Sequence, residues 1–167
     1  LNARFDVTRQ LLVRGAVTTS IGRPNYPDLA PYVIVEDDTV PNISLGNPGL
    51  KPYRAVNLDA SIEYYPNQDS IFSVGVFWKH IDNPIYGFND RQTNVTVAGM
   101  LYPVADIGQP INADDEVLSG VEANAQTQFT FLPGIFSGFG ISANYTHVEG
   151  HATAAFVRPG KIGRAHV

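Results

Sequence analysis

Apolar and polar side chains alternate along six long stretches of this chain, each about ten residues in length. One of these stretches shows the pattern clearly, with two interleaved rows: Val56, Leu58, Ala60, Ile62 and Tyr64 against Asn57, Asp59, Ser61, Glu63 and Tyr65. A period of two is the signature of a β-strand whose faces meet different surroundings. No helical pattern of comparable length competes with it. The sequence therefore predicts an all-β, antiparallel protein.

The alternation sets the approximate bounds of six strands: residues 1–8, 11–21, 56–65, 72–79, 120–129 and 139–146. Short turns join the strands in pairs. The turn Pro66-Asn67-Gln68-Asp69 is typical, because proline presets φ and the Asn and Asp side chains bond to their own backbone. Two long connections, about residues 22–54 and 82–117, separate the pairs.

Two architectures fit this pattern. Short turns alternating with long connections are typical of an up-and-down transmembrane β-barrel, and tilted strands of about ten residues span its apolar band of about 25 Å. The alternative is a soluble, carbohydrate-binding β-sandwich, in which the apolar face packs on a second sheet. Because sandwich strands usually have only about five or six residues, the strand length favours a partial barrel.

In a barrel, one row of each strand faces lipid and the other faces the wet lumen. The predicted lipid-facing residues are Val56, Leu58, Ile62, Phe72, Val74, Val76, Trp78, Val121, Phe139 and Ile141. The predicted lumen-facing residues are Asn57, Asp59, Ser61, Glu63, Glu122, Asn124, Gln126 and Gln128.

Composition excludes several classes of function. Charged residues make up 16% of the chain, below the roughly 25% of soluble domains. A net charge of -5 argues against a nucleic-acid partner. There is no cysteine, and His80, His147 and His151 are too scattered to predict a metal site. No catalytic triad spacing, nucleophile elbow or phosphate-binding loop is present, so nothing marks an outer-membrane enzyme barrel, which is a further alternative.

A local motif narrows the choice. The run Asn47-Pro48-Gly49-Leu50-Lys51-Pro52, followed by Asn57-Leu58-Asp59 and Glu63-Tyr64-Tyr65, closely resembles a segment of TonB-dependent receptors. Further resemblances follow in the family's order: Ser20-Ile21-Gly22-Arg23-Pro24, Gly75-Val76-Phe77-Trp78-Lys79, Ser119-Gly120-Val121-Glu122 and Ala143-Asn144-Tyr145-Thr146. The resemblance covers about residues 1–161. It implies a barrel of about 22 strands around an N-terminal plug, of which this chain supplies six from the later part.

The resemblance implies TonB-coupled uptake of a bulky nutrient across the outer membrane of a Gram-negative bacterium. The nutrient would be an iron-siderophore complex, haem, cobalamin or an oligosaccharide. The expected partners are outer-membrane lipid, TonB through a plug that this chain lacks, and the nutrient itself. No enzymatic activity and no cofactor are expected. Glu63 or Asp59 would pair with arginines of the plug.

The long connections hold the candidate ligand contacts. Aromatic rings would stack on sugars or aromatic siderophores, and arginines would hold an anionic ligand. The candidates are Arg23, Tyr26, Tyr32, Tyr53, Arg54, Tyr86, Phe88, Arg91 and Tyr102. The acidic runs Asp37-Asp38 and Asp114-Asp115-Glu116 lack the spacing of a calcium-binding EF-hand loop and are interpreted as solvated.

The end of the sequence has a separate interpretation. The run that follows Gly160, from Lys161 to Val167, resembles the translation of a DNA-sequencing adapter. We expect residues 162–167 to be non-native and the barrel fragment to span residues 1–161.

Overall fold

A computed structural model describes residues 1–37, 39–153, 156–158 and 161–163, with side chains described up to Thr153. Asp38 and residues 164–167 of the expected non-native tail lie outside this description. Twelve strands are present in the described part: β1 Asn2–Asp6, β2 Leu11–Gly22, β3 Val33–Glu36, β4 Asn42–Leu45, β5 Tyr53–Tyr64, β6 Ser70–Asp82, β7 Ile85–Val97, β8 Met100–Asn112, β9 Asp115–Gln128, β10 Gly140–Thr153, β11 Phe156–Arg158 and β12 Lys161–Gly163. The short helix α1 covers Tyr26–Leu29, and a 3-10 helix covers Gly134–Gly138.

Six strands form the main sheet, in the order β1-β2-β5-β6-β9-β10, and every neighbouring pair is antiparallel. These are the six strands that the alternation predicts, so the predicted all-β fold with six long antiparallel strands is confirmed. In the described part of the chain the sheet is open, with β1 and β10 at its two edges. An open sheet is expected for a piece of a larger barrel. Several strands are longer than predicted, and β9 and β10 reach 14 residues each.

The register sorts the side chains into two faces. One row crosses all six strands through Phe5, Val13, Ile62, Val74, Ala123 and Tyr145. The adjacent row runs through Asp6, Leu12, Glu63, Ser73, Asn124 and Asn144. We call the first side the apolar face and the second the polar face. Within the strands, the residues predicted to face lipid share the apolar face, and those predicted to face the lumen share the polar face.

The apolar face is exposed, unlike that of a water-soluble sheet. On the apolar face of the central strands β5 and β6, Ile62, Val74 and Val76 are 54%, 53% and 50% exposed. On the polar face, Ser73 and Glu63 are half-buried, whereas Asp59 and Glu122 are exposed. A cavity of about 510 Å³, lined chiefly by polar-face residues, lies over the middle of the sheet. Within the described residues no second layer covers the apolar face, which contradicts the sandwich alternative.

The two long connections contain strands of their own. They supply β3, β4, β7 and β8, which form a second sheet in the order β3-β4-β8-β7. The pairing of β4 with β8 is parallel and joins one connection to the other. The β7–β8 hairpin turns through Ala98 and Gly99, whose φ angles of 50° and 82° match the type I′ turn that suits a two-residue hairpin.

The second sheet has a small core of its own. Ile43 on β4 and Ala105 on β8 are both fully buried, and Ile107 beside them is 9% exposed. Leu45, Val95, Val97 and Tyr102 pack around them. No helix in the described part of the chain is both long and apolar enough to cross a membrane.

The buried Ile43 provides a test of this second core. We expect Ile43→Ala to destabilise the second sheet by about 2–5 kcal/mol, because the lost side chain leaves a cavity. The matched control is Ile34→Ala on the neighbouring β3, where the side chain is 53% exposed and the cost should stay near 0.5 kcal/mol or less. Hydrogen exchange of the β8 amides in the full-length gene product measures both. Equal effects of the two substitutions would contradict the assigned core.

Candidate functional site

The main sheet has two unlike ends. Short turns link β1 to β2 and β5 to β6 at one end, which we call the turn end, and residues 129–139 with the 3-10 helix link β9 to β10 there. The two long connections, from β2 to β5 and from β6 to β9, both lie at the other end of the sheet, which we call the connection end. We refer to these connections as the first and the second excursion. The second sheet is built at the connection end from strands of both excursions. Any site that needs both excursions must therefore form there.

A cavity of about 580 Å³ opens between the two excursions. The first excursion and its flanking strands contribute one wall, and β7 and β8 contribute the other. Its lining residues are Arg23, Pro24, Asn25, Asp28, Tyr32, Ser44, Leu45, Tyr53, Ile85, Gly87, Asn89, Gly108, Gln109 and Pro110. Three of the sequence-predicted ligand residues, Arg23, Tyr32 and Tyr53, come together here. A volume of this size lies in the usual range for small-molecule sites.

The Asn47–Pro52 motif holds the two walls together. Asn47 donates its side-chain amide to the Pro110 carbonyl at 2.9 Å, and its own side-chain oxygen accepts the Gly49 amide at 2.9 Å. Further along, Asn112 of β8 accepts the Lys51 amide at 2.8 Å and donates to the Lys51 carbonyl at 3.0 Å. Leu50 is 7% exposed between these contacts. The motif therefore acts as a clamp between the first excursion and β8.

The Tyr53 ring lies over the last residue of β2. A Cβ atom at Gly22 would collide with this ring, so glycine at position 22 makes room for it. By its position in the register, Tyr53 belongs to the polar face, whereas the next residue, Arg54, belongs to the apolar face. The two neighbours, both predicted as ligand contacts, therefore point to opposite sides of the sheet.

Arg23 gives the cavity its positive charge. Asp28, the only carboxylate among the described lining residues, accepts a hydrogen bond from the Asn25 amide at 3.2 Å. Within the described residues Arg23 makes no ion pair, and it is exposed. An exposed guanidinium beside Tyr32 and Tyr53 offers several N–H donors together with aromatic surface. This combination suits a ligand that carries both negative charge and flat rings.

The other predicted ligand residues do not line this cavity. Tyr26 is 88% exposed on α1. Arg91 is held by Asp106 through two hydrogen bonds of 2.7 and 2.6 Å. Tyr102 packs against the second core. Phe88 also lies outside the lining. Because the second connection forms β7 and β8, residues 86, 88, 91 and 102 lie on strands and not in loops, which corrects the loop assignment.

Two titrating groups of the second excursion are tuned by their surroundings. The Arg91 guanidinium, through its hydrogen bonds, holds the pKa of the Asp106 carboxyl below its ordinary value. Burial, followed by a hydrogen bond to Glu116, raises the pKa of Tyr86 to about 12. Tyr86 is therefore anchored to β9 and its hydroxyl is already engaged.

Sequence reasoning missed several polar residues of the cavity. Asn25, Asp28, Ser44, Asn89 and Gln109 all line it. Gln109 also donates to the Gly46 carbonyl at 3.1 Å, which closes one side of the cavity. The parallel pairing of β4 with β8 brings Ser44 beside Gly108, and local periodicity carries no signal for a contact across more than sixty residues.

On the polar face, the two carboxylates predicted to pair with a plug differ. Glu63 accepts from Arg14 at 2.7 Å and from the Tyr65 hydroxyl at 2.7 Å, so it is already bound within the sheet. Asp59 has no ion pair within the described residues. It lines the cavity of the polar face together with Glu122.

Comparison with known proteins identifies one matching family and several similar solved structures. The family described as TonB dependent receptor-like, beta-barrel, matches residues 1–163. Among solved structures, the chain is similar to the siderophore receptor PirA from Pseudomonas aeruginosa, with 20% identity and a TM-score of 0.69 over 89% of this chain and 27% of that one. It is also similar to a mutant of the ferric enterobactin receptor PfeA from Pseudomonas aeruginosa in complex with enterobactin, with 22% identity and a TM-score of 0.65 over 89% and 21%.

A third similar structure is the siderophore receptor PirA from Acinetobacter baumannii, with 16% identity and a TM-score of 0.59 over 92% of this chain and 22% of that one. The chain thus spans 21–27% of the length of these solved structures. At sequence identities of 16–22%, the similarity to these structures establishes a shared fold and nothing further. A comparison with curated proteins found no match.

The Arg91–Asp106 pair generates a pH prediction. Because the folded-state pKa of Asp106 is lowered from 3.8, its stabilisation is present above that pH and is lost as the pH falls through the folded value. We expect hydrogen-exchange protection of the β7–β8 hairpin, corrected for intrinsic rates, to fall below about pH 4 more steeply in the natural protein than in Asp106→Asn. Asp37→Asn, in the other excursion, is the control and should follow the natural protein. Parallel curves for the natural protein and Asp106→Asn would contradict the assignment.

Proposed function

Since this chain belongs to the TonB-dependent receptor β-barrel family, we propose that it forms part of the wall of an outer-membrane receptor that imports an iron-siderophore complex with energy delivered through TonB. Members of this family are outer-membrane proteins of Gram-negative bacteria and act as transport receptors. The specific ligand and the coupling to TonB are the proposal, because the chain spans only part of a receptor.

The exposed apolar face of the main sheet is the observation that carries the outer-membrane part of the proposal. Hydrophobic side chains on this face of β5 and β6 are about half exposed, with no second layer over them in the described part of the chain. In water this arrangement leaves a large apolar surface uncovered. In a bilayer the same surface meets hydrocarbon, while the antiparallel ladder satisfies the backbone internally. The polar face then lines the lumen, where Asp59 is available to a plug.

The cavity at the connection end supports the choice of ligand class. If the turn end faces the periplasm, as short turns do in outer-membrane barrels, both excursions are extracellular. The cavity then opens where a ligand arrives. Its exposed arginine and two tyrosines suit an anionic ligand with aromatic rings, and ferric catecholate siderophores combine these properties. The solved structures to which the chain is similar include receptors named for siderophores.

The apolar face provides a direct test of membrane insertion. We expect Val74→Arg to destabilise the folded barrel by about 2–4 kcal/mol, because a charge on the lipid face near mid-bilayer loses its hydration. Ser73→Arg is the matched control, since Ser73 is the adjacent residue at the same depth on the polar face. The measurement is urea unfolding of the full-length receptor in lipid vesicles. A similar loss for both variants would rule out the assigned orientation.

The cavity generates a binding prediction. We expect Arg23→Gln to weaken binding of ferric enterobactin to the full-length receptor by roughly 10- to 100-fold, because a charge-assisted contact of about 1.5–3 kcal/mol is lost. Gly87→Leu should weaken binding too, since a Cβ atom at Gly87 meets nothing within 4 Å and the larger side chain would grow into the cavity.

The controls for this binding experiment lie at the turn end. Arg9→Gln and Gly138→Leu change the same residue types in exposed turns, and both should bind like the natural receptor. Iron uptake in cells with and without TonB completes the experiment. Unchanged affinity of Arg23→Gln and Gly87→Leu would refute the ligand site, and uptake independent of TonB would refute the proposed coupling.

A further inference from the structure

One cluster of potential metal ligands lies outside the cavity, at the base of the second excursion. The His80 Nε2 atom lies 3.1 Å from an Asp82 carboxylate oxygen and 3.9 Å from an Asp115 carboxylate oxygen. One donor atom from each of the three residues falls within 4.8 Å of the other two. His80 and Asp82 are half-buried, and Asp115 is exposed.

The strand register explains why these residues meet. Asp82 is the last residue of β6 and Asp115 the first residue of β9, and the two are directly opposite each other. Everything between them, including β7 and β8, belongs to the second excursion. His80 is two residues before Asp82 and so lies on the same apolar face. The sequence analysis predicted no metal site because it weighed the histidines and the acidic run around Asp115 separately, whereas the register brings His80, Asp82 and Asp115 together.

The donor atoms of the cluster can bind a cation. Two carboxylates and an imidazole nitrogen lie within 4.8 Å of one another, and a single N–H at Nε2 can donate a good hydrogen bond to only one carboxylate. The distances of 3.1 and 3.9 Å reflect this inequality. A divalent ion with bonds of about 2.0–2.2 Å holds its tetrahedral ligands roughly 3.3–3.5 Å apart, so small side-chain shifts would complete the geometry. A nitrogen with two carboxylate oxygens is a donor set that zinc accepts.

The surroundings fix the histidine. The Trp78 ring stacks on His80 with centroids 5.9 Å apart and planes inclined by 8°. This contact limits rotation of the imidazole and keeps Nε2 towards the carboxylates. Lys51 and Arg54 line a cavity together with Asp82 and Asp115, but neither forms an ion pair with these carboxylates in the described part of the chain. Apart from the contact with His80, both carboxylates can therefore bind an ion.

We propose that His80, Asp82 and Asp115 bind one divalent transition-metal ion of the zinc class, with water as the fourth ligand. The ion joins the end of β6 to the start of β9 and closes the base of the β7–β8 excursion. Since β7 and β8 form one wall of the cavity at the connection end, the ion holds that wall in place. This inference concerns the fold alone and does not depend on the proposed ligand or on TonB.

The test uses the full-length receptor, purified in detergent, stripped with a chelator and titrated calorimetrically with zinc chloride. We expect zinc to bind saturably to the natural receptor. In Asp115→Asn and in His80→Gln, either one equivalent of bound zinc should be lost or the affinity of one site should fall more than about tenfold. Zinc should also raise the thermal unfolding midpoint of the natural receptor, and raise it less in Asp115→Asn.

The matched control is His147→Gln on β10. His147 faces the same side of the sheet and pairs with Glu149 at 3.3 Å, but among the described residues no third ligand joins this pair. The control should bind zinc like the natural receptor. Circular dichroism without metal checks that the variants fold, and if His80→Gln has lost strand content, Asp115→Asn decides. The proposal is overturned if zinc does not bind saturably, or if the folded variants bind it as the natural receptor does.

Discussion

The structure depends on one constraint, which is that a six-stranded antiparallel ladder satisfies its own backbone while sorting side chains strictly by parity. Hydrophobic side chains gather on one side of the sheet, where Ile62, Val74 and Val76 are about half exposed. In water such a surface is unfavourable, at roughly 25 cal/mol for each Å² of apolar area. In hydrocarbon the same apolar surface carries no such free-energy cost. A β-ladder that satisfies its own backbone hydrogen bonds is also one of the few backbone arrangements that a bilayer tolerates. The assignment of every strand residue to one side follows from this ladder.

The candidate site depends on a different kind of contact. The main sheet supplies only a rim at its connection end, and the cavity walls are built by strands within the two excursions. The parallel pairing of β4 with β8 and the clamp formed by Asn47, Lys51 and Asn112 join these walls. Side-chain amides make several of these bonds to backbone groups. The motif that carries the family resemblance therefore has a structural role next to the cavity.

The sequence predicted the main sheet well because its signal is local. Alternation in the stretch from Val56 to Tyr65 predicted both a strand and two groups of side chains, and the register shows that each group shares one side of the sheet. The second sheet gave no such signal, because β8 contains Pro103 and Pro110 and β7 contains Gly87, residues that strands disfavour. Of nine predicted ligand residues, only Arg23, Tyr32 and Tyr53 line the cavity together. Which aromatic residue points where depends on non-local pairing that periodicity does not encode.

Accessibility of spin labels along β6 tests the central claim most directly. This chain has no native cysteine, so single cysteines can be placed from Phe72 to Trp78 in the full-length receptor and labelled in lipid bilayers. The account predicts that labels at the even positions collide with oxygen dissolved in lipid. Labels at the odd positions should instead be shielded from lipid and reached mainly by water-soluble reagents. Even-numbered labels shielded from both reagents, as they would be beneath a second protein layer, would contradict the account.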